Sequence, residues 1–533
     1  MRRRGRFSEI SSLARTVDSE IRRGAERPKD PPRILVVQIK TGAVLGGYSA
    51  VLAQALRLRG AEVGLLVCGG GQPICEVGWA RSTYPFPCNR CSYFTETWAR
   101  AQGLALFRLS DGMPWGRDAT RAPRELPAEQ HSGLDHHDAT RVSVPRFFLA
   151  AQHEGFPLSQ EVATDFALSA YGVEQGVEPV LDSFSPDIVV VYNGLTTSEL
   201  VIKHAAERRG ARVITYSSGF LAGSLMFSGD EPAERMDSEE SWRQVQNMPL
   251  TPEQASLIRA YLAGRSAGRG MHERYDGAPR DAGLLEALDV AGHDRIVSLF
   301  TNIPWDTGCL DRNVGFTSMR DWVIESIEAV RRHPRTALIV RIHPEELRWG
   351  SAESLKDAID DAFGERLPRN VRVVLPDESI NSYALMDSSD LVLTYTSTVG
   401  LEAAARGRVV GVCGAAHYRA KGFTIDVQHG EELDALLAGD GPLPEDRSEL
   451  AWRYAFMFFF RMCIPFPTVR EQHPEIDALA AIAGDAADVA PGADPYLDFV
   501  CEQIVSGGSF LLPEDLVGSA VEGPQPTSAA APV

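Results

Sequence analysis

The sequence predicts an α/β protein of two doubly wound domains in series, closed by C-terminal helices. Three observations carry this. The chain has 533 residues, too many for one ordinary core. Short apolar or β-branched runs fall into two sets, each run followed by helical periodicity. The runs are apolar throughout rather than alternating, as in parallel strands covered on both faces.

In order along the chain, residues 1–30 read as a flexible, basic N-terminal segment. Residues 31–264 form the first domain, with strands over Arg33–Ile39, Glu62–Cys68, Leu104–Leu109, Asp187–Asn193 and Arg212–Ser218. Its last helix has Thr251 as N-cap, Pro252 at the first helical position and Gln254 completing a capping box. Residues 265–285, rich in glycine and charge, read as a linker. Residues 286–430 form the second domain, with strands over Arg295–Thr301, Ala337–His343, Val371–Pro376, Leu391–Ser397 and Arg408–Gly414. Residues 431–512 are predicted to be helical, including an aromatic core helix at Tyr454–Phe460. Residues 513–533 are a low-complexity tail expected to be disordered.

Composition narrows the function. Hydrophobic content of 44% and charged content of 23% are those of a soluble globular protein. A formal net charge of −19 argues against nucleic-acid binding, which needs a basic surface. No apolar run reaches the roughly 20 residues that span a bilayer. The N-terminus is basic without an apolar h-region, so a secretory signal is not expected. A cytoplasmic protein follows, whose N-terminal arginines leave open a peripheral contact with the inner membrane face. Cys68, Cys75, Cys88 and Cys91 lie close together in sequence. Four thiolates can hold zinc or an iron–sulfur cluster, but this spacing is irregular and ordinary reduced thiols are the favoured reading.

Ligands of open parallel sheets bind beyond the carboxyl ends of the strands. After the first strand, Gly42, Gly46 and Gly47 lead into a helix; such a turn either admits a ligand or merely packs. Asn193, Gly194, Thr196 and Thr197 follow the fourth strand and can bind acceptor hydroxyls or cap the next helix. In the second set, Thr396, Ser397 and Thr398 precede a helix in which Gly400 keeps the first turn narrow. One hydroxyl suffices for a cap; three suggest phosphate. Glu402 complements that helix start or reaches a ribose. Arg341, His343 and Glu345 stand at alternate positions where a buried strand ends. His343 can bond or protonate a leaving phosphate, and Arg341 can pair with phosphate or with Glu345. After the last strand, Tyr418, Arg419 and Lys421 either neutralise a diphosphate or sit in a solvated loop.

The stretches Leu299–Thr307, Arg341–Glu346, Ser382–Gly407 and Ala416–Val427 resemble the bacterial capsule polysaccharide biosynthesis family, which is glycosyltransferase-like with a GT-B architecture. The pairing of His-Pro with Ser-Thr is similar to that of bacterial sialyltransferases and Kdo transferases. That resemblance implies two Rossmann-like domains facing a cleft, with His343, Ser397 and Thr398 on the donor phosphate. It implies a metal-independent glycosyltransferase using a CMP-, UDP- or GDP-linked sugar and a glycan or small-molecule hydroxyl acceptor. The family's acidic base motif is not evident; Asp306, Asp135 and Asp138 are candidates. The acceptor is expected against the first domain, near Gly42, Gly46, Gly47, Asn193 and Asp138. Rival readings on the same scaffold are a non-hydrolysing nucleotide-sugar 2-epimerase and a glycerophosphotransferase; a non-catalytic nucleotide- or sugar-binding protein is a third.

Overall fold

The computed structural model of the protein describes residues 8–24, 28–40, 43–76, 88–127, 133–265, 283–348, 350–440, 448–471 and 480–517. Helix α1 (Ser8–Gly24) opens the chain, where a flexible segment was expected. Ile10, Leu13, Ala14 and Val17 recur at helical spacing and are buried. They dock α1 on α2 (Ala43–Leu58), and Arg57 pairs with Asp18 at 2.7 Å.

The first sheet holds β1 (Arg33–Gln38), β2 (Glu62–Val67), β3 (Ala105–Arg108), β4 (Ile188–Tyr192), β5 (Arg212–Ser218) and β6 (Ser224–Ser228). β1 to β5 pair in parallel and β6 joins antiparallel. The apolar runs are explained by burial on both faces. Ile34 and Val36 enter one core, Leu35 and Val37 another. Each such side chain contributes about 1.5–3 kcal/mol when fully buried. Helices α3 (Ser159–Phe184), α4 (Thr197–Arg208) and α5 (Pro252–Arg265) complete the domain. The predicted capping box of α5 is present: Thr251 Oγ1 accepts from the Gln254 amide at 3.2 Å, and Gln254 Oε1 accepts from the Thr251 amide at 3.0 Å.

The second sheet is wholly parallel. It comprises β7 (Arg295–Phe300), β8 (Thr336–Arg341), β9 (Val371–Val374), β10 (Leu391–Thr394), β11 (Val409–Val412) and β12 (Ile425–Asp426). Helices α6 (Met319–Val330) and α7 (Val399–Ala405) cover it. Most of the segment expected as a linker lies outside the described residues. Arg265, its first member, is instead the buried end of α5.

The C-terminal part is not only helical. Helix α8 (Ser448–Phe456) runs into a π-helical turn over Met457–Met462. Its phenylalanines are buried, as an aromatic core helix requires. β13 (Ile464–Pro465) then pairs antiparallel with β6, so the chain returns to the first sheet. A hairpin of β14 (Val469–Glu471) and β15 (Ala480–Ile482) and helix α9 (Pro495–Ser506) settle against α2. Arg59 clamps α9 through Asp498. Of the expected disordered tail, Glu514–Val517 forms a short helix; residues 518–533 lie outside the described residues.

Polar contacts join the two domains. Lys421 pairs with Glu239 at 2.6 Å, and the Arg312 guanidinium donates to the Arg235 carbonyl at 2.8 Å. Thr307 donates to Glu234 Oε1 at 3.0 Å. Glu353 accepts from the Ala151 and Gln152 amides.

Candidate functional site

Each sheet reverses its strand order once. The first runs β13-β6-β5-β4-β1-β2-β3, the second β12-β11-β10-β7-β8-β9. The crevices lie where neighbouring strands lead to helices on opposite faces: between β1 and β4, and between β7 and β10.

At the second crevice, Asn302, just past β7, accepts the Thr396 amide on Oδ1 at 3.1 Å. Thr396 is 7% exposed, and its hydroxyl is buried with no hydrogen-bond partner. On the other side of β7, Thr301 Oγ1 accepts the His343 amide at 3.0 Å. Thus His343 and Thr396 flank the end of β7, two strand spacings or about 10 Å apart along the sheet edge. The Glu345 amide donates to His343 Nδ1 at 3.2 Å, which places the proton of the neutral ring on Nε2. Burial, then the Arg341 charge, pushes the His343 pKa down to about 4. The ring is therefore neutral at pH 7.

Several predicted residues serve this crevice indirectly. Tyr418 is wholly buried and donates to the Ser397 carbonyl at 2.6 Å. It also bonds the Thr394 hydroxyl at 3.0 Å. A Cβ on Gly400 would lie 2.2 Å from the Tyr418 oxygen, so only glycine lets this brace close. Ser397 Oγ accepts from the Val399 amide at 3.3 Å, and Thr398 makes no side-chain cap. Arg419 ties the Val412 and Val427 carbonyls.

Others point elsewhere. Arg341 bonds the Leu375 carbonyl at the end of β9. Glu402 is 1% exposed, pairs with Arg265 at 2.9 Å and accepts from Tyr383 at 2.8 Å. It is an interior brace, not a ribose ligand. Lys421 is held by Glu239. Glu345 contributes its amide to His343. Asp306 accepts from the Gly308 amide at 2.8 Å, closing a turn beside Thr307.

At the first crevice the helix begins earlier than expected, and the packing alternative holds for two of the glycines. Gly46 and Gly47 lie inside α2, and a Cβ there would strike Trp98 at 2.6 Å and Val469 at 2.9 Å. They permit packing of Trp98 and of the β14–β15 hairpin. Gly42 lies outside the described residues. Asn193 has φ 64° and accepts from the Leu195 amide, a local turn. Asp138 is exposed and paired with Arg141, and Asp135 accepts from the His137 amide. His136 is buried against Glu174 at 2.8 Å, so this stretch is partly interior. Cys68, Cys75, Cys88 and Cys91 are not bridged by disulfides. Burial holds Cys75 and Cys88 above the ordinary thiol range. Among the described residues no group of His, Cys, Asp or Glu is arranged to hold a metal.

Two carboxylates escaped the sequence reading. Glu234 bonds Ser217 on β5 and Thr307 of the other domain, and so bridges the two carboxyl edges. Glu199 pairs with Lys40 at 2.8 Å between β1 and β4. Glu199 follows Thr196 and Thr197 closely, so the strand-end rule, carried one turn further, would have found it.

The strand ends that carry His343 and Thr396 fall within a segment that matches a known sequence family. Residues 312–435 match the family model of capsule polysaccharide biosynthesis proteins. The match covers 124 of the 533 residues. The matched capsule-synthesis segment contains Arg341, His343, Thr396, Ser397, Thr398, Glu402, Tyr418 and Lys421, and excludes Lys40, Glu199, Glu234 and Asp306. No curated protein matches the chain. Among solved structures, a KpsC β-Kdo 2,4 transferase from Thermosulfurimonas dismutans aligns at 17% identity. That alignment covers 50% of this chain and 78% of the other, with a TM-score of 0.34. A UDP-GlcNAc 2-epimerase from Neisseria meningitidis bound to UDP-GlcNAc aligns at 12% identity over 80% and 97%, with a TM-score of 0.28. Likeness of this degree assigns no residue a role. Among the described residues no helix is long and apolar enough to cross a membrane.

Proposed function

We propose that this protein is a glycosyltransferase of surface polysaccharide or related glycoconjugate synthesis, acting in the cytoplasm on a CMP-, UDP- or GDP-linked sugar. The observation that carries the reading is the unpartnered, buried Thr396 hydroxyl at the β7/β10 crevice, with His343 across the end of β7. A buried hydroxyl without a partner is destabilising by about 1–3 kcal/mol, and a phosphate oxygen entering the crevice would satisfy it.

The nucleotide phosphate sits against Thr396, Ser397 and Thr398. His343, neutral and protonated on Nε2, donates to the phosphate oxygen as the glycosidic bond breaks. Charge grows on that oxygen in the transition state, so the bond strengthens there and accelerates the step. These protein donors disperse the charge without calling on a metal. The acceptor hydroxyl approaches from the first domain, across the contact between Glu234 and Thr307.

The test is incubation with labelled nucleotide sugars, with and without glycan acceptors, followed by NMR. Acceptor-dependent release of nucleotide supports the reading. Conversion of the nucleotide sugar without acceptor would mark an epimerase, and binding without turnover a non-catalytic partner; either result overturns it.

A further inference from the structure

The crevice of the first sheet holds a charged pair that the donor chemistry does not use. Lys40 follows β1 and Glu199 lies in the first turn of α4, 1% exposed. Together with Gln38, Leu45, Tyr192 and Tyr216 they line a recess. The Lys40 ammonium gives one bond to Glu199 Oε1 at 2.8 Å and one to the Thr196 hydroxyl at 3.0 Å, leaving one of its three N–H groups. Gln38 fixes the Lys40 backbone by donating to its carbonyl at 2.8 Å. Glu199 Oε2 is buried and has no hydrogen-bond partner. The pair ties β1 to α4 through one carboxylate oxygen only. Lys40 thus keeps one donor and Glu199 one acceptor, the complement of a single hydroxyl.

We propose that this recess binds the reacting hydroxyl of the acceptor sugar, with Lys40 donating to its oxygen and Glu199 Oε2 accepting its proton. The inference rests on reading the second domain as the donor site. As the acceptor oxygen bonds to the anomeric carbon, the bond from that carbon to the phosphate oxygen breaks. Its electron pair leaves with the nucleotide, and the acceptor proton ends on Glu199. Tyr192, on the wall of the recess, has a phenol that feels Glu234 and Arg146. Glu234 bonds Thr307, and Arg146 lies 6.0 Å over the Trp305 ring.

The electrostatics agree. Burial raises the Glu199 carboxyl to about 7, with Lys40 opposing and Glu76 adding to the rise. The titratable groups facing it are Lys40, Glu76, Tyr192 and Tyr216. A base near 7 suits proton removal at neutral pH.

The experiment uses the full chain, wild type and Glu199→Gln, with Glu199→Asp as a charge-preserving control and circular dichroism to verify folding. Saturation-transfer NMR with methyl hexosides reads the recess, calorimetry with free nucleotides reads the donor crevice, and acceptor-dependent nucleotide release against pH reads the proton transfer. The expected result is glycoside signal in wild type that is lost in Glu199→Gln. Transfer should fall at least about 100-fold, its rise through pH 7 should vanish, and nucleotide affinity should stay within twofold. Glu199→Asp should keep part of the rate. No glycoside signal in wild type, or a Glu199→Gln rate within threefold of wild type, overturns the proposal while leaving the donor site standing. Failure of every nucleotide to bind would instead remove the donor reading and leave the glycoside result to judge the recess.

Discussion

Glu402→Ala separates two roles for one residue. The carboxylate is enclosed with Arg265 at 2.9 Å, and their side chains are 1% and 6% exposed. Tyr383 donates to the same carboxylate at 2.8 Å, and the Arg265 guanidinium also lies over the Tyr261 and Phe459 rings. Removing Glu402 leaves a buried guanidinium with no counter-charge, which destabilises by about 3–5 kcal/mol. With a urea slope of about 2 kcal/mol/M, the unfolding midpoint should fall by roughly 2 M. Replacing both partners by methionine removes both charges, so it should recover most of the loss. Urea unfolding followed by circular dichroism measures the shift, and calorimetry measures nucleotide affinity in the folded variant. The reasoning predicts lower stability with affinity changed less than threefold. An unchanged midpoint with affinity lost tenfold or more would refute it and return Glu402 to the ligand.

Three further outcomes follow from the same geometry. His343→Ala should fold and bind nucleotide but turn over about 100-fold more slowly; steady-state kinetics with the donor decides. The His343 pKa is depressed in the folded chain to about 4, below the ordinary value of about 6.5. The unfolded chain therefore takes up that proton first as pH falls. Stability contributed above pH 6.5 is lost towards pH 4, and His343→Asn should flatten part of that loss in urea midpoints measured between pH 7 and 5. Gly400→Ala should push Tyr418 off the Ser397 carbonyl, destabilising by about 1–3 kcal/mol and weakening nucleotide binding, read by thermal unfolding with and without nucleotide.

The parallel strands of the two sheets were legible because they are buried on both faces, so Ile34–Val37 and Ala337–Val340 read as unbroken apolar runs. Of the edge strands, β3 and β9 were legible and β12 and β13 were not. β12 and β13 have two residues each, too few for any period, and β13 joins the first sheet only because the chain folds back across both domains. Helix α1 falls in the segment expected to be flexible, although Ile10, Leu13, Ala14 and Val17 carry a helical stripe. His343 and Thr396 could be singled out because position at a strand end is itself a sequence property. Glu402, Arg341 and Lys421 were given to the ligand because sequence names a charge but not its partner. Their partners, Arg265, the Leu375 carbonyl and Glu239, come from distant segments. Glu199 and Glu234 were missed for the converse reason: a lone glutamate in a helical turn reads as solvated until the fold buries it.

The most direct measurement is a calorimetric titration of the wild-type chain with CMP, CDP, UDP, GDP and dTDP, repeated on Ser397→Ala with Thr398→Ala and on Thr396→Val. The account predicts that at least one nucleotide binds wild type and that both variants weaken it by tenfold or more while remaining folded. Binding that is equal in all three proteins, or absent for every nucleotide, would contradict a phosphate site between β7 and β10.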